Sequence, residues 1–164
     1  MGEVGCNLLE RNLFRNKIHR IKIKMNELLF TLLSFSPGPF WLILAFVPNH
    51  KLAMRAFDIY LILLSTVFAM LTIPVIPELL PIIASPKLHL LQQFLSSERG
   101  TVGTWNHMIL GDLWIGRWVT HDSLQNNISW FIRLPILLVI LFFGPVGLFF
   151  YIVYRILFVK KLWL

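Results

Sequence analysis

Three stretches of this chain hold almost nothing but Leu, Ile, Val, Phe and small residues for about twenty positions or more: Leu28 to Val47, Phe57 to Ile76 and Leu134 to Val159. A helix needs about 20 apolar residues to cross the hydrocarbon core of a bilayer, and inside that core every backbone amide must be satisfied within the protein. Membrane helices are the fold such stretches allow. Composition agrees, with 57% hydrophobic residues, a mean hydropathy of +0.72 and only 14% charged residues, against about 25% in a soluble domain. The net charge is +7, but the basic residues stand mostly outside the apolar stretches. Topology and anionic lipid headgroups explain them without a nucleic-acid partner. The lone Cys6 excludes an internal disulfide and a cysteine-based metal cluster.

A fourth stretch, Thr101 to Thr120, also has the length of a span but differs in kind. Trp105 to Asp122, WNHMILGDLWIGRWVTHD, carries His107, Asp112, Arg117, His121 and Asp122 among its apolar residues. An ionisable group at membrane depth is costly and persists where it is paired, faces a cavity or does chemistry. Any active or ligand-binding centre is expected here. The expected fold is all-α: an integral membrane four-helix bundle, residues 28–164, with its first and fourth spans broken by Pro and Gly. The breaks are Ser36-Pro37-Gly38-Pro39 and Gly144-Pro145-Val146-Gly147. Broken helices at depth often border a cavity, and small residues let a backbone or a flat ligand approach closely.

Residues 1–27 form a basic extension with Leu9, Leu13, Phe14, Ile18 and Ile21 interleaved at roughly helical spacing. It reads either as a basic amphipathic helix on the bilayer surface or as a leader ahead of a true start at Met25. It has no apolar core and small-residue cleavage site of a secretory signal. Between the spans, Asp58 reads as a polar helix end reaching headgroups or Arg55. Pro74, Pro77, Glu78, Pro81 and Pro86 mark an exit too broken to prolong the second helix. Residues 84–100 read as a loop with a short amphipathic turn, Leu88 to Leu95. Thr101 or Thr104 is the expected cap of the third span, Asp122 to Ser129 a polar turn, and Arg155, Lys160, Lys161 and Trp163 interfacial anchors. Four spans put both termini on one side, and Lys plus Arg then divide 11 inside against 4 outside. That bias places the termini on the cytoplasmic face; a start at Met25 would reduce it to 5 against 4.

At about 100° per residue, Trp105, Asp112, Gly116 and Val119 share one face of the third span, and His107, Arg117 and His121 a second. A site combining His107 with Asp112 must therefore be completed by another helix or lie in the wedge between the faces. For Arg117, His121 and Asp122, near the span's end, the structural reading as snorkelling polar ends leads. For His107 and Asp112, which lie deeper, function and structure weigh equally. The histidines 19, 50, 89, 107 and 121 are too far apart for a di-iron centre, and only His107 could be a mid-span haem ligand. Single-His ligation of a chlorophyll-like pigment stays open. Acid–base chemistry is better motivated, because a carboxyl group in apolar surroundings holds its proton towards neutrality. No nucleophile elbow or phosphate-binding glycine loop is present.

Pro39-Phe40-Trp41 with its following Pro48-Asn49 loop, Trp105-x-His107, Asp112-Leu113, Gly116-Arg117, Asp122, and Phe143-Gly144-Pro145-x-Gly147-Leu148 with Tyr151 resemble the ABA-four-like family. The resemblance covers about Leu29 to Arg155. The family comprises four-span membrane proteins of plastids and photosynthetic bacteria, and its plant member is required for neoxanthin synthesis. The resemblance implies a carotenoid-linked role in a thylakoid or bacterial inner membrane, with no cofactor. Converting an epoxy carotenoid to an allene needs acid-assisted epoxide opening and loss of a carbon-bound proton. Asp112 and His107 as acid and base, in either order, would supply both steps. Trp105, Gly111, Gly116, Arg117, Gly144, Pro145 and Gly147 are the expected substrate-binding positions. The expected partners are a lipid-soluble carotenoid or other pigment, membrane lipids and a membrane protein complex. The alternative is a non-catalytic pigment-binding or assembly subunit of a photosynthetic membrane complex.

Overall fold

The computed structural model describes residues 2–160, leaving aside the side chains of residues 2–13 and of Asn16, His19 and Lys22. Met1, Lys161 and Trp163 lie outside the described residues, as do the side chains of Leu9, Arg11 and Leu13, so the expectations resting on them do too. Among the described residues the chain is all helical, without strands. Helix α1 (Gly2–Phe35) is followed by α2 (Gly38–Phe46), α3 (Lys51–Thr72), α4 (Ile76–Ala84), α5 (Leu88–Leu95), α6 (Glu98–Gln125) and α7 (Trp130–Tyr154). Among the described residues three stretches are long and apolar enough to cross a membrane: Ile23–Phe46, Lys51–Ala84 and Trp130–Val159. α6 is not among them, because its charged residues dilute its apolar run.

The first break falls where the sequence places it. α1 ends at Phe35, and Pro37 and Pro39 start α2, where a missing N–H costs least. Tyr60 of α3 seals the joint: its hydroxyl lies 2.6 Å from Ser36 Oγ, and its ring stacks on Phe40 at 3.8 Å. α1 itself runs uninterrupted through residue 27, so the basic extension and the first span are one helix. The exit of α3 differs from expectation. A short 3-10 turn, Ile73–Val75, carries the helix on into α4 as far as Ala84. Pro74 and Pro77 each occupy a first-turn position, where the fixed φ of proline suits a helix. The short helix Leu88–Leu95 forms with the expected bounds.

α6 starts earlier and ends later than expected. Ser97, not Thr101 or Thr104, is its cap, its Oγ accepting from Gly100 N at 3.0 Å; the Thr101 hydroxyl instead donates to Leu95 O. At the other end the helix continues to Gln125, so Asp122 and Ser123 are buried helical residues, not part of a turn.

Cross-helix contacts fix the directions of packing. Asn26 donates to Glu98, Ser34 accepts from Trp105, and the Trp41 ring lies against Gly116. α1 and α2 thus run parallel to α6. α3 runs antiparallel: Asp58 meets Arg117, Leu64 O accepts from Asn106, and Phe68 packs on His107.

α7 is a helix folded on itself. Phe143 leaves helical geometry (φ −145, ψ 64), and a side chain at Gly147 would overlap the backbone of Ile140. Residues seven apart in a straight helix are about 10 Å apart, so the two arms must double back. The first arm starts beside Ala45, whose carbonyl accepts from Trp130 Nε1, and climbs to Gly144 against Asp112. The second arm returns along α6, placing Tyr151 on Trp118 and Arg155 on Asp122. At about 1.5 Å per residue the arms measure about 20 Å to Phe142 and about 16 Å from Gly144 to Tyr154. Each arm is shorter than a hydrocarbon core of about 30 Å. The expected fourth span is therefore a hairpin, and its Gly-Pro-x-Gly sequence is the apex. Gly147 lets the arms touch, and Pro145 opens the second arm.

Candidate functional site

α6 is the helix on which every other long helix packs, and its polar residues divide between two sides. Towards α7 the chemistry is closed. Asp122 is 7% exposed and Arg155 5%. Arg155 Nε lies 2.9 Å from Asp122 Oδ2, its Nη2 donates to Oδ1 at 3.1 Å, and the Tyr151 hydroxyl donates to Oδ2 at 2.5 Å. This corrects the reading of Asp122 and Arg155 as interfacial polar ends: a buried carboxylate is tolerable because guanidinium and phenol cover both oxygens. Ten residues back along α6, Asp112 meets the hairpin apex. A Cβ on Gly144 would overlap its carboxylate, so the glycine makes room for the acid. Gly116, also on an inward side, receives the Trp41 indole; a Cβ there would stand 2.8 Å from the ring. A flat group does approach this glycine, and it belongs to the protein.

Towards α3 the chemistry is open. A groove of about 840 Å³ lies between α3 and α6, lined by Asp58, Leu61, Ile62, Ser65, Thr66, Ala69, His107, Leu110, Gly111 and Trp114. A second chamber of about 340 Å³ continues it past Asp58, Leu61 and Trp114 to Arg117, Trp118 and His121. From His107 to His121 the pair extends about 21 Å along α6. The walls are mainly apolar, as in most small-molecule sites, with few polar groups at set places. Gly111 meets no atom within 4 Å of its missing side chain and keeps the floor low. In the second chamber Arg117 Nε donates to Asp58 Oδ1 at 3.2 Å, and His121 lines the same space. Asp58 thus pairs across to α6 and not with Arg55.

The structure separates the expected acid and base. His107 faces the groove beside Phe68, whereas Asp112 faces α7, so a ligand lying in the groove touches His107 and not Asp112. Gly111 and Arg117 join His107 there. Gly116, Gly144 and Gly147 serve helix packing instead, Pro145 shapes the hairpin apex, and Trp105 donates to Ser34 at the α1 side. Asp58, expected as a polar helix end near Arg55, lines both chambers and pairs with Arg117. Its signal was available: Asp58, Leu61, Ile62, Ser65, Thr66 and Ala69 fall on one helical face, a polar-dotted stripe inside an apolar span.

The ABA4-like family (ABA DEFICIENT 4-like) matches residues 28–151. The chain belongs to this family. No curated protein and no solved structure matches the chain. Membership in the ABA4-like family points to a role linked to carotenoids or abscisic acid. The matched residues begin within α1 and end at Tyr151, so both groove walls and the hairpin apex lie inside the ABA4-like region.

Proposed function

We propose that the protein takes a carotenoid-type isoprenoid into the groove between α3 and α6 and carries out an isomerase-type acid–base step at its Asp58 end. The observation that supports this is the continuity of an elongated apolar groove with one chamber holding an acid, a base and a guanidinium. An elongated polyene lies against Ile62, Leu110, Gly111 and Trp114, and its ring end sits by Asp58, Arg117 and His121. His121 in its charged form gives a proton to an epoxide oxygen as the carbon–oxygen bond breaks. Asp58, held by Arg117, takes the proton from the neighbouring chain carbon, and that electron pair forms the new double bond of the allene. Bonds and charges balance, and no electron acceptor is needed. His107, about 15 Å from Arg117 and about 21 Å from His121 along α6, positions the polyene.

In the same reading the chain crosses the bilayer three times, on α1–α2, α3 and α6, with α7 re-entrant from the Gln125 end. The basic residues then divide 8 against 7 between the two ends, so charge bias does not select an orientation. The membrane is a thylakoid or bacterial inner membrane.

The test is carotenoid chromatography after gene deletion and complementation with wild type, Asp58→Asn, His121→Ala, His107→Ala and Asp112→Asn. Wild type and Asp112→Asn restore the missing carotenoid; Asp58→Asn and His121→Ala accumulate in the membrane without restoring it. Failure of Asp112→Asn alone would move the chemistry to the α7 side. An unchanged profile on deletion would leave the alternative, a non-catalytic pigment-binding or assembly subunit.

A further inference from the structure

The exposed apolar stripe of α1, which includes Leu28, Leu32 and Phe35, continues towards the N-terminus into a basic segment. Phe14, Ile18, Ile21 and Met25 are 68%, 39%, 55% and 60% exposed. Their spacing of four, three and four residues is a heptad seam, the pattern by which one helix packs along another. Six Lys and Arg fall within residues 11–24, too many charges for a stretch inside the hydrocarbon core. Lipid tails therefore do not account for the start of the seam. Lys17 and Lys24 occupy positions that flank it.

We infer that this seam is a docking surface for an amphipathic helix whose own apolar seam is flanked by Asp and Glu. Charge complementarity selects this occupant. Residues 11–26 carry six Lys and Arg and no Asp or Glu. A second copy, anchored in the same membrane, runs parallel and lays like charge beside like charge, which opposes pairing. A bilayer surface would need the helix to bend over, and α1 is continuous from Gly2 to Phe35. An acidic-flanked helix covers the apolar seam and neutralises its basic edges in one geometry.

The full chain is placed in phosphatidylcholine nanodiscs and titrated with a synthetic peptide of about four heptads, with Ile and Leu at the seam and Glu at the flanks. A peptide with Lys at the flanks is the control. The acidic peptide binds at least about tenfold tighter, and the preference weakens with salt. The double variant Ile18→Ser, Ile21→Ser loses the binding. The variant Lys17→Glu, Lys24→Glu keeps the seam and reduces the preference for the acidic peptide at least about threefold. Equal binding of both peptides, or an unchanged preference in the charge-reversed variant, would overturn the inference. Disulfide cross-linking between copies through Ile18→Cys in a Cys6→Ser background would assign the seam to a second copy. Protection of the α1 amides by phosphatidylglycerol alone would assign it to the membrane surface.

Discussion

The two sides of α6 carry ionisable residues in similar number and use them in opposite ways. On the α7 side, Asp122 is enclosed by Arg155 and Tyr151, and Asp112 is pressed to the hairpin apex. On the α3 side, Asp58 is paired with Arg117 but half-exposed, and His107 and His121 line open space. The contrast teaches that charge on a helix packed among apolar ones is not by itself a sign of chemistry. Where both oxygens of a carboxylate are covered by fixed donors, the group fastens helices together. Where a polar group borders an apolar groove, it is available to a ligand.

The sharpest way to break this comparison is to remove one member of the closed cluster. Asp122→Ala or Arg155→Ala leaves a buried charge without its partner, at a cost of about 3–5 kcal/mol. Thermal unfolding in detergent should show a large fall for each single variant and little further fall for the pair. A loss no greater than that of a surface ion pair would mean that the cluster does not hold α7 to α6.

The hairpin gives the next effect. Gly147→Ala meets the backbone of Ile140, which cannot turn aside as a side chain can, and should cost about 1–3 kcal/mol. Gly144→Ala should cost less, and Asp112→Ala should recover part of it in a double-mutant cycle. Additive losses there would mean that the glycine does not make room for the acid. The same hairpin predicts that tags on the two termini are cleaved from opposite sides of sealed vesicles. Cleavage of both from one side would restore a full fourth crossing.

The open side should behave in the reverse manner. Asp58→Asn removes a half-exposed ion pair and should change stability by no more than about 1 kcal/mol, while abolishing the carotenoid phenotype. His107→Ala should cost still less stability and weaken pigment retention, read by copurified absorbance. A variant on this side that unfolds the protein would erase the distinction between the two faces.

Much of the architecture is written locally. Apolar length set the first two membrane stretches, Ser36-Pro37-Gly38-Pro39 set the break between α1 and α2, and the amphipathic run Leu88–Leu95 set its short helix. Helical periodicity alone also places His107 and Asp112 on different sides of α6. Hydropathy could not distinguish a crossing helix from a hairpin, because both arms of α7 are equally apolar. Gly144 and Pro145 marked the break, but a break leaves the angle open, and that angle depends on contact with α6 and between Ile140 and Gly147. The Asp122–Arg155 pair joins residues 33 positions apart, a separation that no helical spacing reports. Asp58 borders the same chamber as Arg117 and His121 only because α3 runs antiparallel to α6. The sequence alone determined which segments are helical and apolar, since those follow from backbone satisfaction and periodicity. Which charges are locked and which border the groove was decided by tertiary packing, because burial of a side chain is a property of its neighbours.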